Sequence, residues 1–145
     1  MAVVLVTGLI AGILDAGAAL GFFLARGNRK PGMLFQYIAS AVYGPAAFQG
    51  GRRMAIVGLF LHFCVALCWV GLYFALWPRV AHWGAGVLVD AVLYGVFVWC
   101  MMNLVVVPLS KAVPRPLTFA FVTVNIVILI ITIGLPCAYA AQIWE

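Results

Sequence analysis

Charged residues are scarce in this sequence. Of 145 residues, eight are Lys or Arg and three are Asp or Glu, so that only 8% carry charge. A soluble globular domain has about 25% charged and about 45–50% apolar residues, whereas 68% of this chain is hydrophobic. So few charges cannot cover the surface of a soluble domain, and the high hydrophobicity excludes a disordered chain. The composition therefore predicts an integral membrane protein, with the lipid bilayer as its main partner.

The sequence also lacks the motifs of common catalytic and binding sites. It contains no zinc-ligand spacing, Ser-His-Asp set, phosphate-binding loop or dinucleotide-binding fingerprint. The four cysteines lie in apolar runs, and Cys64 and Cys68 have the spacing of helical neighbours, so we interpret them as buried small side chains. The basic residues form short clusters beside apolar runs, which indicates topology signals and not a nucleic-acid site.

Four apolar runs are long enough to cross a bilayer, for which about 20 residues are needed. They cover about residues 2–25, 54–77, 84–107 and 117–141. The first run lacks the basic region of a signal peptide, so we expect it to be a retained span. Unbroken runs of this length cross as helices. The sequence therefore predicts an all-α, integral membrane four-helix bundle that forms a single domain over residues 1–145.

Lysine and arginine are concentrated in two of the connections between spans. Seven of the eight lie there: Arg26, Arg29, Lys30, Arg52 and Arg53 between spans 1 and 2, and Lys111 and Arg115 between spans 3 and 4. With four spans these two connections are on the same side, whereas three or five spans would put basic clusters on opposite sides. The positive-inside rule then predicts that both connections are cytoplasmic and both termini extracytoplasmic.

The connection between spans 1 and 2 contains a further apolar segment that is too short to cross the membrane twice. About residues 33–43 could form one short helix, which Gly44-Pro45 would end. A helix of this length is interfacial or re-entrant. We favour an interfacial helix because a re-entrant backbone must be shielded by protein, and because Gln36 and Tyr37 suit a headgroup boundary.

Span 1 is rich in small residues. Gly8 and Gly12 form one G-x-x-x-G pair, and Gly17 and Gly21 form a second. Such pairs let two helices approach closely in lipid. We interpret them as packing positions inside the bundle, with dimerisation of two copies as the alternative.

Each span carries one strongly polar side chain at a similar distance from a basic anchor: Asp15, His62, Asn103 and Asn125. At 1.5 Å per residue these distances are about 16, 13, 12 and 15 Å, respectively. If the four faces converge, His62 is the natural partner of Asp15, and the two asparagines satisfy the remaining donors and acceptors. Such a polar layer would be structural, with interhelical hydrogen bonds of about 0.6–2 kcal/mol each, or it would be a ligand, proton or ion site. Unrelated positions around the four helices are the third alternative.

Other polar side chains are expected to have local roles. Asp90 lies near the outer end of span 3, where we expect it to pair with Arg79 or His82, and Tyr94 lies one turn deeper on the same face. The threonines of span 4, Thr118, Thr123 and Thr132, are expected to bond back to their own helix.

Haem is the one cofactor for which the sequence contains a candidate ligand inside a span. A haem in a helical bundle would need two axial ligands, and only His62 lies well inside a span. Two copies of His62 in a dimer, or Met101 or Met102, could complete the pair. We expect neither a cofactor nor a metal ion.

Several short strings resemble, as a group, a known family. They are Leu14-Asp15, FQYIAS at residues 35–40, GPAAFQGG at 44–51, LHF at 61–63 and MNLVVVPLS at 102–110. Together they resemble a family of small, uncharacterised bacterial inner-membrane proteins, over nearly the whole chain. The resemblance implies a four-span bacterial protein and carries no established activity. Asp15, Gln36, His62 and Asn103 fall within these strings, whereas Asn125 does not.

Three functions are compatible with these features. The first is a non-enzymatic bundle that acts as an interaction or accessory protein, with a second copy or another membrane protein as its partner. The alternative is a transporter or sensor of a small solute or of protons that uses the Asp15 and His62 layer. An enzyme acting on a lipid or quinone with His62 as its base is the third, but no nucleophile or metal set accompanies the histidine.

Overall fold

The computed structural model describes residues 1–80 and 86–144 of the chain, and these residues form helices and no strands. The helices are α1 (Ala2–Ala25), α2 (Gly32–Tyr43), α3 (Gly51–Val80), α4 (Val87–Leu109) and α5 (Phe119–Ile143). A 3-10 turn, Gly44–Gln49, joins α2 to α3. The most apolar 18-residue stretch of each long helix has a mean hydropathy of 2.1 to 2.4, as membrane spans require. The predicted all-α bundle with four candidate spans and a short helix after the first is confirmed.

The helix boundaries differ from the predicted spans by a few residues. Helix α3 begins three residues earlier and ends three residues later than the predicted run 54–77, and α5 is displaced by two residues from 117–141. The predicted start of span 3 at Gly84 lies outside the described residues. Helix α3 also continues through Pro78, which lacks the backbone N–H that would bond the preceding turn.

The two basic connections lie together at one end of the bundle, here called the basic end. The backbone N–H of Lys111 donates to the carbonyl of Ala41 over 3.0 Å. The guanidinium carbon of Arg115 lies 3.5 Å from the centre of the Tyr37 ring. These contacts place the segment before α5 on helix α2, as four alternating spans require.

Glycines mark the closest approaches between helices. A Cβ at Gly95 in α4 would lie 2.6 Å from the Cα of Ile130, and one at Gly134 in α5 would overlap the carbonyl of Ala91. A Cβ at Gly58 in α3 would overlap the backbone of Phe35, which lies in α2. Because backbone atoms cannot rotate out of the way, these positions bring α4 against α5 and α2 against α3.

The core lies between α1, α3, α4 and α5 and is built mostly from small and aromatic side chains. Its fully or nearly fully buried members include Ala11, Val70, Tyr73, Ala91, Val98, Cys137 and Ala138. Only 17% to 22% of the residues in the most apolar stretch of each long helix are buried. The remaining surface is largely apolar, which suits contact with lipid chains and not with water.

Two wide helical turns interrupt the regular α-helix in α4 and α5. The segments Met101–Val106 and Ile130–Gly134 have π-helical geometry, and in both a backbone N–H bonds the carbonyl five residues earlier. Pro108 and Pro136 follow directly, and each lacks the N–H that a regular α-helix would use. The wide turns therefore lie where proline already weakens the regular hydrogen-bond pattern.

Candidate functional site

Asp15, His62 and Thr132 form a polar cluster between three of the long helices, and we call these residues the Asp15 cluster. The hydroxyl oxygen of Thr132 lies 2.9 Å from Oδ1 of Asp15. Nε2 of His62 lies 4.0 Å from Oδ2 of Asp15, with the side chains 12% and 16% exposed, respectively. The cluster therefore links α1, α3 and α5 through side chains that are mostly shielded from the surroundings.

Close packing of α1 on α3 brings His62 to this position. A Cβ at Gly12 would lie 2.7 Å from the Phe63 ring, so the absence of a side chain there lets α3 approach. Nε2 of His62 then lies 3.0 Å from the carbonyl oxygen of Gly12, one turn before Asp15 on α1. The glycine that sequence analysis identified as a packing position thus also supplies a hydrogen-bond acceptor.

The hydrogen bonds fix where one proton of the cluster lies. A carbonyl oxygen only accepts, so Nε2 of His62 must carry a proton and donate it to Gly12. A separation of 4.0 Å is too long for a direct hydrogen bond to Asp15. The interaction of His62 with Asp15 is therefore electrostatic, and it becomes an ion pair only when both ring nitrogens are protonated.

Thr132 allows the carboxyl group of Asp15 to be either charged or neutral. Its hydroxyl has one proton but two oxygens nearby, Oδ1 of Asp15 at 2.9 Å and the carbonyl of Ile128 at 2.8 Å. A carboxylate would accept that proton. A protonated Asp15 could instead donate to Thr132, while the hydroxyl donates to Ile128. The site can thus gain or lose one proton at Asp15 and keep a hydrogen bond in both states.

Asn103 and Asn125 lie away from the Asp15 cluster. Nδ2 of Asn103 donates to the carbonyl of Trp99 over 3.0 Å, within its own helix. Asn125 lines a cavity at the basic end. In the described part of the chain, neither asparagine forms a hydrogen bond to Asp15 or His62.

Asn125 lies closer to the basic end than its ten-residue separation from Arg115 predicts. The chain between Arg115 and Thr118 is not helical, and α5 begins only at Phe119. Asn125 is therefore six residues into the helix, or about 9 Å from its start. Thr132, seven residues further along, is the residue of span 4 that reaches Asp15.

Thr132 is the member of the cluster that sequence analysis did not include. It bonds back to Ile128, as predicted, and also contacts Asp15. Thr123 likewise bonds back to Phe119, whereas Thr118 accepts from the backbone N–H of Phe121 and caps the helix. The available signal was the position of Thr132 four residues before Pro136, since a wide turn in a helix often lies at a functional position.

Asp90 and Tyr94 lie beside an aromatic cavity near the end of the bundle opposite the basic end. The hydroxyl of Tyr94 donates to the carbonyl of Trp69, and its ring packs edge-on against Tyr73 with centroids 4.8 Å apart. Asp90 lines a cavity of about 280 Å³ together with these two tyrosines. Arg79 donates to the carbonyl of Ala75 in its own helix, and no ion pair joins it to Asp90 within residues 1–80 and 86–144. His82, the other expected partner, lies outside the described residues.

The remaining predicted residues are distributed over two helices. Nε2 of Gln36 donates to the carbonyl of Gly51 over 3.0 Å and thereby ties α2 to the start of α3. In α1, a Cβ at Gly8 would overlap the Leu67 side chain, whereas Gly17 and Gly21 have no atom within 4 Å of that position. Within residues 1–80 and 86–144, only one of the two glycine pairs is thus used for packing.

Residues 1–80 and 86–144 were compared with the requirements of a metal site and with known proteins. Among the residues described, no three His, Cys, Asp or Glu side chains lie close enough together to hold a metal ion. Comparison with known protein families, curated proteins and solved structures gives no match. The Asp15 cluster brings together a carboxyl group, an imidazole and a hydroxyl group, so it can bind or pass a proton and can hold helices together.

Proposed function

We propose that this chain is a non-enzymatic membrane interaction protein that binds another transmembrane helix on the Gly17 and Gly21 face of α1. One observation carries the proposal. The pair Gly8 and Gly12 is covered by α3, whereas Gly17 and Gly21 are exposed and have open space where a side chain would be. A G-x-x-x-G pair that is not filled within the chain is suited to receive a second helix.

The open glycines belong to a continuous face of α1. At 100° per residue, Ile10, Ile13, Gly17, Gly21 and Leu24 fall on one side of the helix. The side chain of Ile13 is 63% exposed, and Ile10 and Leu24 are 49% and 43% exposed. Apolar side chains beside two glycines give a shallow groove into which ridges of a partner helix can pack.

The Asp15 cluster supports this role by holding α1 in place. Asp15 lies on the opposite side of α1 from Gly17 and Gly21, and it contacts Thr132 in α5 and approaches His62 in α3. Interhelical hydrogen bonds in membranes contribute about 0.6–2 kcal/mol each. Because these contacts hold α1 on the side opposite Gly17 and Gly21, the free face of α1 has one orientation. This reduces the entropy lost when a partner binds.

The charge distribution and the sequence resemblance also support an orientation and a membrane for this chain. The basic residues at the basic end support a cytoplasmic position for that end and an extracytoplasmic position for both termini. The resemblance of the strings around Asp15, Gln36, His62 and Asn103 supports a bacterial inner membrane. The contacts of α2 with Ala55 and Gly58 near the start of α3, and with Arg115, support an interfacial helix across that end.

The test measures association in lipid vesicles. Copies labelled with a donor or an acceptor fluorophore report self-association by energy transfer, and pull-down from solubilised source membranes reports other partners. The double variant Gly17→Leu/Gly21→Leu should lose association because the added side chains fill the face. Ala120→Leu is the matched control, since Ala120 is an exposed residue on α5. A wild-type chain that is monomeric and captures no partner would refute the proposal.

A second candidate function is proton or small-solute transport through the Asp15 cluster. The observation that favours it is the approach of His62 to within 4.0 Å of Asp15 inside the bundle, together with a hydrogen-bond pattern that fits both states of the carboxyl group. Asp15→Asn and His62→Ala should each abolish a pH-dependent flux into vesicles, whereas Thr123→Val should not. Equal flux in the wild type and both cluster variants would exclude this function.

A further inference from the structure

A cavity of about 460 Å³ lies at the basic end, between α1, α2 and the start of α5. Its volume is within the range of about 300–1,000 Å³ that is usual for small-molecule sites. Its polar lining consists of Arg26, Asn28, Arg115 and Asn125. Its apolar lining includes Ala19, Phe22, Leu34 and Phe121. The cavity is therefore amphipathic, with positive charge but no negative charge.

The two arginines have no anionic partner in the described part of the chain. Of the basic side chains, His62 is the one that approaches Asp15 there, and Asp15 is eleven residues from Arg26 along α1, or about 16 Å. Partial burial lowers the pKa of Arg115, the Tyr37 hydroxyl raises it, and the like charge of Arg26 lowers it further. Two cations that repel each other across one cavity favour an anion between them.

Aromatic rings hold both guanidinium groups in place. The guanidinium carbon of Arg26 lies 5.6 Å from the centre of the Phe22 ring and 5.9 Å from that of Phe121. That of Arg115 lies 3.5 Å from the centre of the Tyr37 ring. At this distance the Arg115 guanidinium lies against the face of the Tyr37 ring, which leaves its N–H edges for an anion and suits phosphate oxygens.

We propose that this cavity binds an anionic phospholipid, whose phosphate contacts Arg26 and Arg115 and one of whose acyl chains packs along Ala19, Phe22 and Phe121. A lipid fits better than a soluble anion because the wall beyond Arg26 is apolar along α1, where Phe22 and Ala19 lead into the span. Basic pockets between membrane helices are suited to anionic headgroups. Asn125 reaches the same cavity from α5 and can donate to a headgroup oxygen. This site is separate from the Gly17 and Gly21 face, so either proposal can fail without the other.

Native mass spectrometry of the full chain in mild detergent tests the site with three probes. Phosphatidylglycerol and phosphatidylcholine with identical acyl chains compare the headgroups, and inorganic phosphate reports a soluble anion. We expect the wild type to retain phosphatidylglycerol over phosphatidylcholine. Arg26→Gln and Arg115→Gln should each weaken phosphatidylglycerol binding about fivefold and the double variant about thirtyfold. Arg52→Gln/Arg53→Gln removes two charges from the same end outside the cavity and should have little effect.

The remaining outcomes decide against the proposal. Equal loss in the Arg52 and Arg53 control would show nonspecific attraction of anionic lipid to the basic end. Competition by millimolar inorganic phosphate would show a soluble-anion site. If the arginine variants do not fold, Ala19→Leu tests the apolar part of the site with every charge retained. It should weaken binding of the diacyl lipid, and unchanged affinity would overturn the proposed position of the acyl chain.

Discussion

Replacement of Gly95 by alanine tests the close contact between α4 and α5. A Cβ at this position would lie 2.6 Å from both the Cα and the Cγ1 of Ile130 and 2.8 Å from its backbone nitrogen. Two carbon atoms are in favourable contact at about 3.5–4.0 Å. The variant must therefore separate the two helices by about 1 Å at the crossing point. Because most of the overlap involves backbone, a change of side-chain rotamer cannot relieve it.

Two opposing contributions set the expected change in the free energy of unfolding. Overpacking of a close contact costs about 1–3 kcal/mol. Alanine in a helix is more favourable than glycine by about 1 kcal/mol. The net effect of Gly95→Ala is then a destabilisation of up to about 2 kcal/mol. Gly71→Ala is the matched control because its Cβ would lie 3.8 Å from Val4, an ordinary contact. Gly71→Ala therefore gains the helix preference of alanine over glycine without steric overlap between helices.

The assay is unfolding of the full chain by sodium dodecyl sulfate in mixed micelles, followed by helical circular dichroism. The difference between Gly95→Ala and Gly71→Ala cancels the helix preference, so it reports the overlap alone, at about 1–3 kcal/mol. Equal stability of the two variants would refute the close approach of α4 and α5. The same result would also remove the basis for the position of Thr132, which follows Ile130 by two residues in the wide turn of α5.

Two further predictions concern polar contacts. Thr132→Val should destabilise the bundle by about 0.6–2 kcal/mol in the same unfolding assay because Asp15 loses a hydrogen-bond donor. Thr123→Val, at an exposed position, should change the stability little. Similar losses in both variants would contradict a specific role for the Asp15 cluster. Gln36→Leu removes the hydrogen bond to the carbonyl of Gly51, so amide hydrogen exchange should accelerate in α2 but not in α4, with a cost of about 0.5–1.5 kcal/mol. Unchanged exchange in α2 would show that this bond does not hold the helix.

The spans could be predicted from the sequence because each depends on a local property. A run of about 20 apolar residues is sufficient to identify a membrane helix, and the distribution of Lys and Arg required an even number of crossings. The short helix was predictable for the same reason, since Gly44-Pro45 ends an apolar run that is too short to cross the membrane twice. None of these predictions requires knowledge of which helices touch.

The arrangement of the polar side chains was less predictable because depth alone does not determine it. Asp15 and His62 lie close together, as the depth estimate indicated, but Asn125 faces the basic-end cavity and Asn103 bonds its own helix. Counting residues from Arg115 assumed helix where the chain is not helical. It also gave no information on the direction in which each side chain points around its helix axis. Thr132 appeared unremarkable because a threonine that bonds its own helix is common in membrane spans.

Close helix packing occurs at Gly8 and Gly12, where it was predicted, and also at glycines outside the repeat of α1. The glycines of α1 could be identified from the sequence because they repeat every fourth residue. At Gly58, Gly95 and Gly134, however, a Cβ would overlap the backbone of a neighbouring helix. Single glycines in a span carry no pattern in the sequence. Their role becomes evident only when the opposing backbone is known.

The wide turns in α4 and α5 change the register of any experiment that scans these helices residue by residue. Each turn accommodates about one residue more than an α-helical turn, and one residue corresponds to about 100° of rotation. Labelling of successive cysteine substitutions along α5 should therefore follow one periodic pattern before Ile130 and the same pattern, shifted in phase by about 100°, after Gly134. A single helical wheel drawn through residues 119–143 would place the last nine residues about 100° away from their true direction around the helix axis.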